Sequence, residues 1–216
     1  MPLDKKTIIE TLKQIREKSK KRNFTQSVEL IINLQDVDPK KPEGRIQQTI
    51  ELPNGLGKQM KVCVIASGEM ALKAKRAGAD YVLTREELEG MAGDKKKQRE
   101  LAKKYDFFLA EAPMMPLIGK ILGPILGPRG KMPTPVPPGA DVAPLIEKRR
   151  RTVMVRVRGQ PVLQCRVGSE DMPDEKIAEN VLAVIHSLEG KLKRGLKNIS
   201  SIYLKLTMGE PVKIKP

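Results

Sequence analysis

The pattern of apolar residues changes twice along this chain, and this change constrains the fold more than any other feature. In residues 24–34 and 153–167, apolar residues alternate with polar ones, as they do in strands with one buried face. Between these ranges, residues 62–66 and 107–110 are continuously apolar, as in strands that are covered on both faces. The two ends of the chain therefore predict one kind of sheet, and the middle predicts another.

Each end also contains one helical pattern, over residues 4–20 and 173–189, but too few strands for a stable sheet of its own. The economical solution is one discontinuous domain, residues 1–55 with 153–216, built on an antiparallel or mixed sheet with two helices. In residues 56–152 strands alternate with helices, which predicts an inserted α/β domain with a parallel sheet. The predicted fold class is therefore α+β for the ends and α/β for the middle.

A segment rich in proline and glycine lies inside the inserted domain. Residues 113–139 hold eight of the 17 prolines, five glycines and no acidic residue. This composition predicts a short helix over residues 117–122 and an ordered loop elsewhere. Its three cations, Lys120, Arg129 and Lys131, are expected to contact phosphate groups.

The charge of the chain favours a polyanionic partner. The net charge of +15 is spread over both ends and the middle, which favours folded surfaces that meet phosphates at several places. A generally basic surface without such a partner is the alternative. With three Phe, three Tyr and no Trp, the chain offers little material for stacking bases on aromatic platforms. The absence of an 18-residue apolar run and of a signal peptide predicts a cytoplasmic protein without membrane contact.

No catalytic, metal or cofactor site emerges from the residue pattern. Two cysteines, Cys63 and Cys165, do not make a disulfide framework or a zinc site, and packing explains both. The single histidine, His186, has no metal ligand or general base at a suitable spacing. A phosphate-binding loop around Lys131 would need Ser or Thr where Met132 stands. We therefore do not expect an enzyme.

Four stretches of the chain resemble signatures of one family. Residues 23–30 (NFTQSVEL), 52–58 (LPNGLGK) and 121–133 (ILGPILGPRGKMP) resemble segments of the large-subunit ribosomal protein one family, and so does the triplet Thr207-Met208-Gly209. The stretches occur in the family's order along the chain. The short loops resemble archaeal rather than bacterial members.

The resemblance implies a fold and a function. Its fold has a terminal domain that grips RNA and an inserted Rossmann-like domain. Its function is binding to the mobile stalk of large-subunit ribosomal RNA beside the transfer-RNA exit site, with help in releasing deacylated transfer RNA. It also implies repression of translation through the protein's own messenger RNA. We accordingly expect a cytoplasmic, cofactor-free protein of the large ribosomal subunit that is a monomer when free. A non-ribosomal RNA-binding repressor or RNA chaperone is the alternative.

The resemblance also assigns candidate RNA contacts. Carried over by motif, these are Phe24, Thr25, Ser27 and Glu29 in the first strand, and Ser201, Thr207, Met208 and Gly209 near the end of the chain. Thr25, Ser27 and Glu29 fall on the polar face of the predicted strand, where hydroxyl and carboxylate groups suit ribose hydroxyls and base edges. Met208 lies where the strand register breaks, so we expect its side chain to be exposed to RNA.

Some of these residues have another explanation. Phe24 shares the apolar register of its strand, so core packing explains it as well as RNA contact does, and an ordinary turn explains residues 207–209. Family members usually have proline directly after the Thr-Met-Gly triplet, whereas here Glu210 precedes Pro211. Because a carboxylate repels phosphate, we leave Glu210 out of the predicted contacts.

Overall fold

The computed structural model describes residues 4–39, 41, 44, 46–157 and 159–214. Its helices are α1 Lys5–Lys18, α2 Gly68–Arg76, α3 Arg85–Gly90, α4 Lys95–Lys104, α5 Met115–Ile121, α6 Gly123–Arg129, α7 Ala143–Arg150 and α8 Asp174–Glu189. Its strands are β1 Ser27–Leu34, β2 Gln47–Glu51, β3 Val62–Ile65, β4 Tyr81–Leu83, β5 Phe107–Glu111, β6 Thr134–Val136, β7 Thr152–Arg156, β8 Val162–Ser169, β9 Ile199–Leu206 and β10 Val212–Lys213. Among the described helices, none has the length and apolar character needed to cross a bilayer.

The chain divides into two compact units. The terminal unit comprises Met1–Lys58 and Arg151–Pro216, and the inserted unit comprises Gln59–Arg150. These boundaries differ by two or three residues from the predicted ones, because residues 56–58 are held by the terminal unit. There, the Arg166 guanidinium donates to the carbonyl oxygen of Leu56 at 3.2 Å. Gly57 has a φ of +71°, and a Cβ at that position would lie 2.9 Å from Ser169 Oγ.

The terminal unit is built on a four-stranded antiparallel sheet with the strand order β10-β9-β1-β8. In β1, Val28, Leu30, Ile32 and Leu34 are buried, while the residues between them are half-exposed. The helix α1 contacts β9, α8 contacts β8, and the two helices contact each other. Since the apolar residues of α1 and α8 are also buried, these helices cover the apolar side of the sheet, while within the part of the chain that the structure describes the residues of β1 on the polar side are half-exposed.

A second antiparallel ladder completes the terminal unit. It pairs β2 with β7, one strand from each end of the chain, in a register that sets Ile50 opposite Val153. Both of these residues are buried, and α8 contacts β2. The antiparallel strands and two helices predicted from the two chain ends are therefore joined in one unit.

The inserted unit contains a four-stranded parallel sheet with the order β4-β3-β5-β6. All four residues of β3 are buried, because each face of the sheet carries its own core. Apolar residues of α3 to α6 form one core, and those of α2 and α7 form the other. The predicted fold class, an antiparallel sheet from the chain ends and a Rossmann-like parallel sheet from the middle, is confirmed.

The loop predicted for residues 113–139 is wrong over much of its length. It contains α5, α6 and the short strand β6. Pro116 and Pro124 each occupy the second position of a helix, where a backbone N–H has no partner within the helix, so proline is tolerated there. Ile118, Leu122 and Leu126 recur every four residues and are fully buried. Their burial against the sheet outweighs the poor helix propensity of the segment.

Candidate nucleic-acid interface

The uncovered face of the terminal sheet places Glu29 between two cations. In the register of the sheet, Glu29 lies opposite Lys205 on β9 and opposite Arg166 on β8. The Lys205 ammonium is 3.7 Å from the nearer carboxylate oxygen of Glu29. One negative charge flanked by two positive charges leaves this part of the face net positive. Glu29 can therefore accept from a base or ribose without repelling phosphate as an isolated carboxylate would.

Ser201 lies on the same face, four residue pairs further along the strands. It is opposite Asn33, and the Asn33 side-chain amide donates to Ser201 Oγ at 2.9 Å. The Ser201 hydroxyl keeps its own proton for a further acceptor. Between these pairs, Ile31 lies opposite Tyr203. Sequence reasoning missed Tyr203, although it has the same parity in β9 as Ser201.

Thr207 is half-exposed and is hydrogen-bonded to the start of β1. Its backbone N–H donates to the Ser27 carbonyl at 3.1 Å, and the Ser27 N–H donates to Thr207 Oγ1 at 3.0 Å. The Thr207 hydroxyl also lies 3.4 Å from the Ser27 carbonyl oxygen. These bonds use the polar atoms of Thr207 within the protein. They hold the following turn against β1.

Two large apolar side chains are exposed at the end of the sheet where β1 begins and β9 ends. Met208 is 60% exposed and Phe24 is 51% exposed. The expectation that Phe24 continues the apolar face of the strand is wrong, because β1 begins only at Ser27. Thr25 is also exposed. Core packing therefore does not explain Phe24, and its ring and the Met208 side chain are accessible for contact with unstacked bases.

Gly209 ends the turn that presents Met208. Its N–H donates to the Leu206 carbonyl at 2.9 Å. A Cβ on Gly209 would lie 3.3 Å from Leu206 Cβ, which is a crowded distance. The tightness of the turn is thus sufficient to explain the glycine. Glu210, which we left out of the predicted contacts, is exposed.

Residues 52–58, although part of the family resemblance, have a structural role. Asn180 on α8 is fully buried and donates to the carbonyl oxygens of Gly55 at 2.7 Å and Val167 at 2.8 Å. Its side-chain oxygen accepts from the Asn54 N–H at 3.1 Å. One amide therefore joins this loop to β8 and α8. Sequence reasoning missed Asn180, which lies on the buried face of its helix.

The three cations predicted to meet phosphate belong to the inserted unit and differ in their surroundings. Lys120 is exposed and Arg129 is half-exposed. Lys131 donates to the carbonyl oxygens of Ala102 and Tyr105, at 3.0 Å and 2.7 Å, and so caps the C-terminal end of α4. Burial, helped by the charge of Arg129, lowers the pKa of Lys131. Lys131 is therefore not oriented toward an external phosphate.

Comparison with known proteins points to one family. The family model described as Ribosomal protein L1p/L10e family matches residues 15–210. A protein named large ribosomal subunit protein uL1 from Methanothermobacter thermautotrophicus is 49% identical over 207 residues, which cover 96% of this chain and 98% of that protein. A protein of the same name from Pyrococcus abyssi is 49% identical over 216 residues, covering 100% of this chain and 98% of that protein.

A third relative, the large ribosomal subunit protein uL1 of Archaeoglobus fulgidus, is 46% identical over 214 residues, 99% of this chain and 100% of its own length. All three relatives come from archaea, which agrees with the archaeal character of the loops. The resemblance found in the four sequence stretches is thereby confirmed over nearly the whole chain, and the protein belongs to the ribosomal protein L1p/L10e family.

Proposed function

We propose that this protein is an RNA-binding component of the large ribosomal subunit in the cytoplasm, and that it reads its RNA with the uncovered face of the terminal sheet. The name shared by its relatives supports the ribosomal assignment. The observation that carries the assignment to this face is the row of polar groups that runs from Ser201 to Glu29, toward the end of the sheet where two apolar side chains, Phe24 and Met208, are exposed.

The chemistry of this face suits folded RNA. Hydroxyl, amide and carboxylate groups can exchange hydrogen bonds with ribose 2′-hydroxyls and base edges, which a flat, wide RNA minor groove or an open loop exposes. Lys205 and Arg166, on either side of Glu29, add positive charge, and β9 contributes one aromatic residue, Tyr203, to the same face. The scarcity of aromatic residues in the chain therefore agrees with recognition by shape and polar contact.

The inserted unit adds contacts of a different kind in this proposal. Lys120 and Arg129 meet phosphates and strengthen binding to any RNA, because phosphate contacts carry no sequence information. Lys131 leaves the set of proposed contacts, since its ammonium is used by carbonyl oxygens of α4. The specific contacts then all belong to the terminal unit.

The parallel sheet itself does not favour a nucleotide-binding enzyme. In such sheets a phosphate usually binds where the strand order reverses, at the N-terminus of the following helix. Here that position, after β3 and β5, holds a carboxylate of the chain. Glu111 Oε2 accepts from the Ser67 N–H at 3.1 Å and from Ser67 Oγ at 3.0 Å. A phosphate placed there would meet a negative charge.

The finer functions in this proposal come from the family resemblance. They are binding to the mobile stalk of ribosomal RNA, help in releasing deacylated transfer RNA from the exit site, and repression of the protein's own messenger RNA. A monomeric free state belongs with them. Stalk binding and repression both require that the terminal unit recognise one RNA structure, in the ribosome and in the messenger.

Two measurements test the proposal. In an extract of the source cells the protein is expected to sediment with large ribosomal subunits at low salt. The purified protein is expected to bind a transcript of the stalk of the same organism's large-subunit RNA at least about 10³-fold more tightly than a scrambled transcript of equal length. Tight stalk binding without cosedimentation would indicate a non-ribosomal repressor or chaperone. Equal affinity for the two transcripts would contradict specific recognition.

A further inference from the structure

Gln26 lies between two proposed RNA contacts, yet only 1% of it is exposed. We infer that Gln26 is a positioning residue, whose buried amide fixes the turn at residues 207–209 in the conformation that binds RNA. The inference rests on the proposed function, because it concerns how Met208 is presented to RNA. It assigns to Gln26 a role that its buried position in the strand register does not reveal.

The amide of Gln26 joins three segments of the terminal unit. Its Oε1 accepts from the Met208 N–H at 3.1 Å. Its Nε2 donates to Ser19 Oγ, just after α1, and to Glu170 Oε2, just after β8, each at 3.3 Å. The Gln26 carbonyl also accepts from the Glu170 N–H at 2.9 Å. Because a backbone N–H only donates and a carboxylate only accepts, these partners allow one orientation of the amide.

The bond to Met208 completes the internal hydrogen bonding of the turn. The N–H groups of Thr207, Met208 and Gly209 donate to the Ser27 carbonyl, to Gln26 Oε1 and to the Leu206 carbonyl, respectively. Lys205 Nζ donates to the Thr207 carbonyl at 3.1 Å. With its backbone held in this way, the turn presents the Met208 side chain in a defined position, and binding loses less conformational freedom.

An apolar residue at position 26 could pack in the core but could not hydrogen-bond to the turn at residues 207–209. Residues 28, 30, 32 and 34 share the parity of Gln26 and are all apolar and buried. A buried amide lowers stability unless it is hydrogen-bonded, so Gln26 is compensated only by the bonds described above. Gln26 is therefore a polar residue at a buried position, and an apolar side chain there could supply none of its three side-chain hydrogen bonds, including the bond to the Met208 backbone.

The test exchanges the two members of the Gln26–Glu170 pair. Gln26→Glu keeps an acceptor for the Met208 N–H but places a carboxylate against Glu170. Adding Glu170→Gln restores a donor to that pair and the original net charge. The ratio of affinities for the stalk transcript and the scrambled transcript should fall about tenfold in Gln26→Glu, because repulsion by Glu170 moves the side chain at position 26 away from the Met208 N–H and one hydrogen bond is lost. In the double variant Gln26→Glu/Glu170→Gln, the affinity ratio should return to within about twofold of that of the unmodified protein.

Several controls decide between positioning and general stabilisation. Gln26→Met keeps the volume, lacks both hydrogen-bonding functions and should also lose about tenfold in the ratio while remaining folded. In a Met208→Ala background, Gln26→Glu should have little further effect on the ratio. An unchanged ratio in a folded Gln26→Met protein, or no recovery in the exchanged pair, overturns the inference. If Met208→Ala alone leaves the ratio unchanged, the proposed RNA contact fails and the inference fails with it.

Discussion

The two sheets of this protein bury their strands differently, and in our proposal this difference separates the specific contacts with RNA from the general contacts with phosphate. In β1 of the terminal unit every second residue is buried, whereas all of β3 in the inserted unit is buried. Helices cover one face of the first sheet and both faces of the second. The antiparallel sheet therefore keeps a face of regularly spaced polar groups for a ligand. The parallel sheet leaves only helix surfaces, loops and strand ends for that purpose.

Exposed apolar residues differ between the units in the same way. Met208 in the terminal unit and Leu72 on α2 of the inserted unit have nearly equal exposure, 60% and 56%. The backbone of Met208 is fixed by the buried amide of Gln26, at the end of a polar sheet face. Leu72 lies on a helix that is polar around it. Exposure alone therefore does not identify a residue as an RNA contact. Met208 differs from Leu72 because its backbone is held by a hydrogen bond and it lies beside the polar face of the sheet.

The largest expected effect tests whether the two units unfold separately. Asn180→Ala removes an amide that bonds three buried or half-buried backbone groups of the terminal unit. Since each buried unpaired group costs about 1–3 kcal/mol, we expect the terminal unit to lose roughly 2–4 kcal/mol of stability. The inserted unit should keep its stability, because none of the three groups belongs to it.

Thiol labelling reports on each unit, because each contains one cysteine. Burial raises the pKa of Cys165 in the terminal unit to about 12, and burial with the nearby charge of Glu87 does the same for Cys63 in the inserted unit. Both thiols should therefore react only after local unfolding. In Asn180→Ala, labelling of Cys165 should accelerate by more than about 30-fold and that of Cys63 should hardly change. Equal acceleration would show that the units unfold together.

A second prediction compares the two exposed apolar residues. Met208→Ala should lower the affinity for the stalk transcript by roughly 1–3 kcal/mol, the scale of a good specific contact. Its free energy of unfolding should change by less than about 0.5 kcal/mol, because the side chain is exposed. Leu72→Ala is the matched control and should change neither quantity appreciably. A lower melting temperature of Met208→Ala with unaltered affinity would make Met208 a packing residue.

The smallest expected effects concern the cations of the inserted unit. Replacing both Lys120 and Arg129 by Ala should weaken binding to stalk and scrambled transcripts alike and reduce the salt slope by up to about 2. Lys131→Ala should leave the slope unchanged but lower the stability of the inserted unit by about 1 kcal/mol, since it removes a helix cap. Affinity titrations at several salt concentrations, with thermal unfolding, measure both. A loss confined to the stalk transcript would contradict the assignment of these cations.

The sequence predicts the parts of this fold that depend on local pattern. The buried face of β1 and the change from an antiparallel to a parallel sheet follow from the spacing of apolar residues. The prediction of a loop in residues 113–139 is wrong because it rests on the glycine and proline content and neglects the four-residue recurrence of Ile118, Leu122 and Leu126. The burial of Gln26, which precedes β1, does not follow from the alternating pattern of that strand.

The positioning residues could not be predicted, because their partners are distant in the chain. Gln26 and Met208 are 182 positions apart, and Asn180 and Gly55 are 125 apart. Lys131 lies only 26 positions from Tyr105, but it reaches the C-terminal end of α4 because α6 packs against α4. Resemblance to a family marked Thr207 and Gly209, but only the hydrogen bonds and contacts explain why threonine and glycine occur there.

One pair of variants tests the central claim, that the uncovered face of the terminal sheet binds RNA specifically. Ser201→Glu adds a negative charge to that face and can still accept from Asn33, whereas Gln14→Glu adds the same charge to an exposed residue of α1, the helix that covers the opposite side of the sheet. We predict that Ser201→Glu weakens binding to the stalk transcript by at least about tenfold relative to Gln14→Glu, with both proteins equally stable. Equal affinities of the two variants would contradict the account.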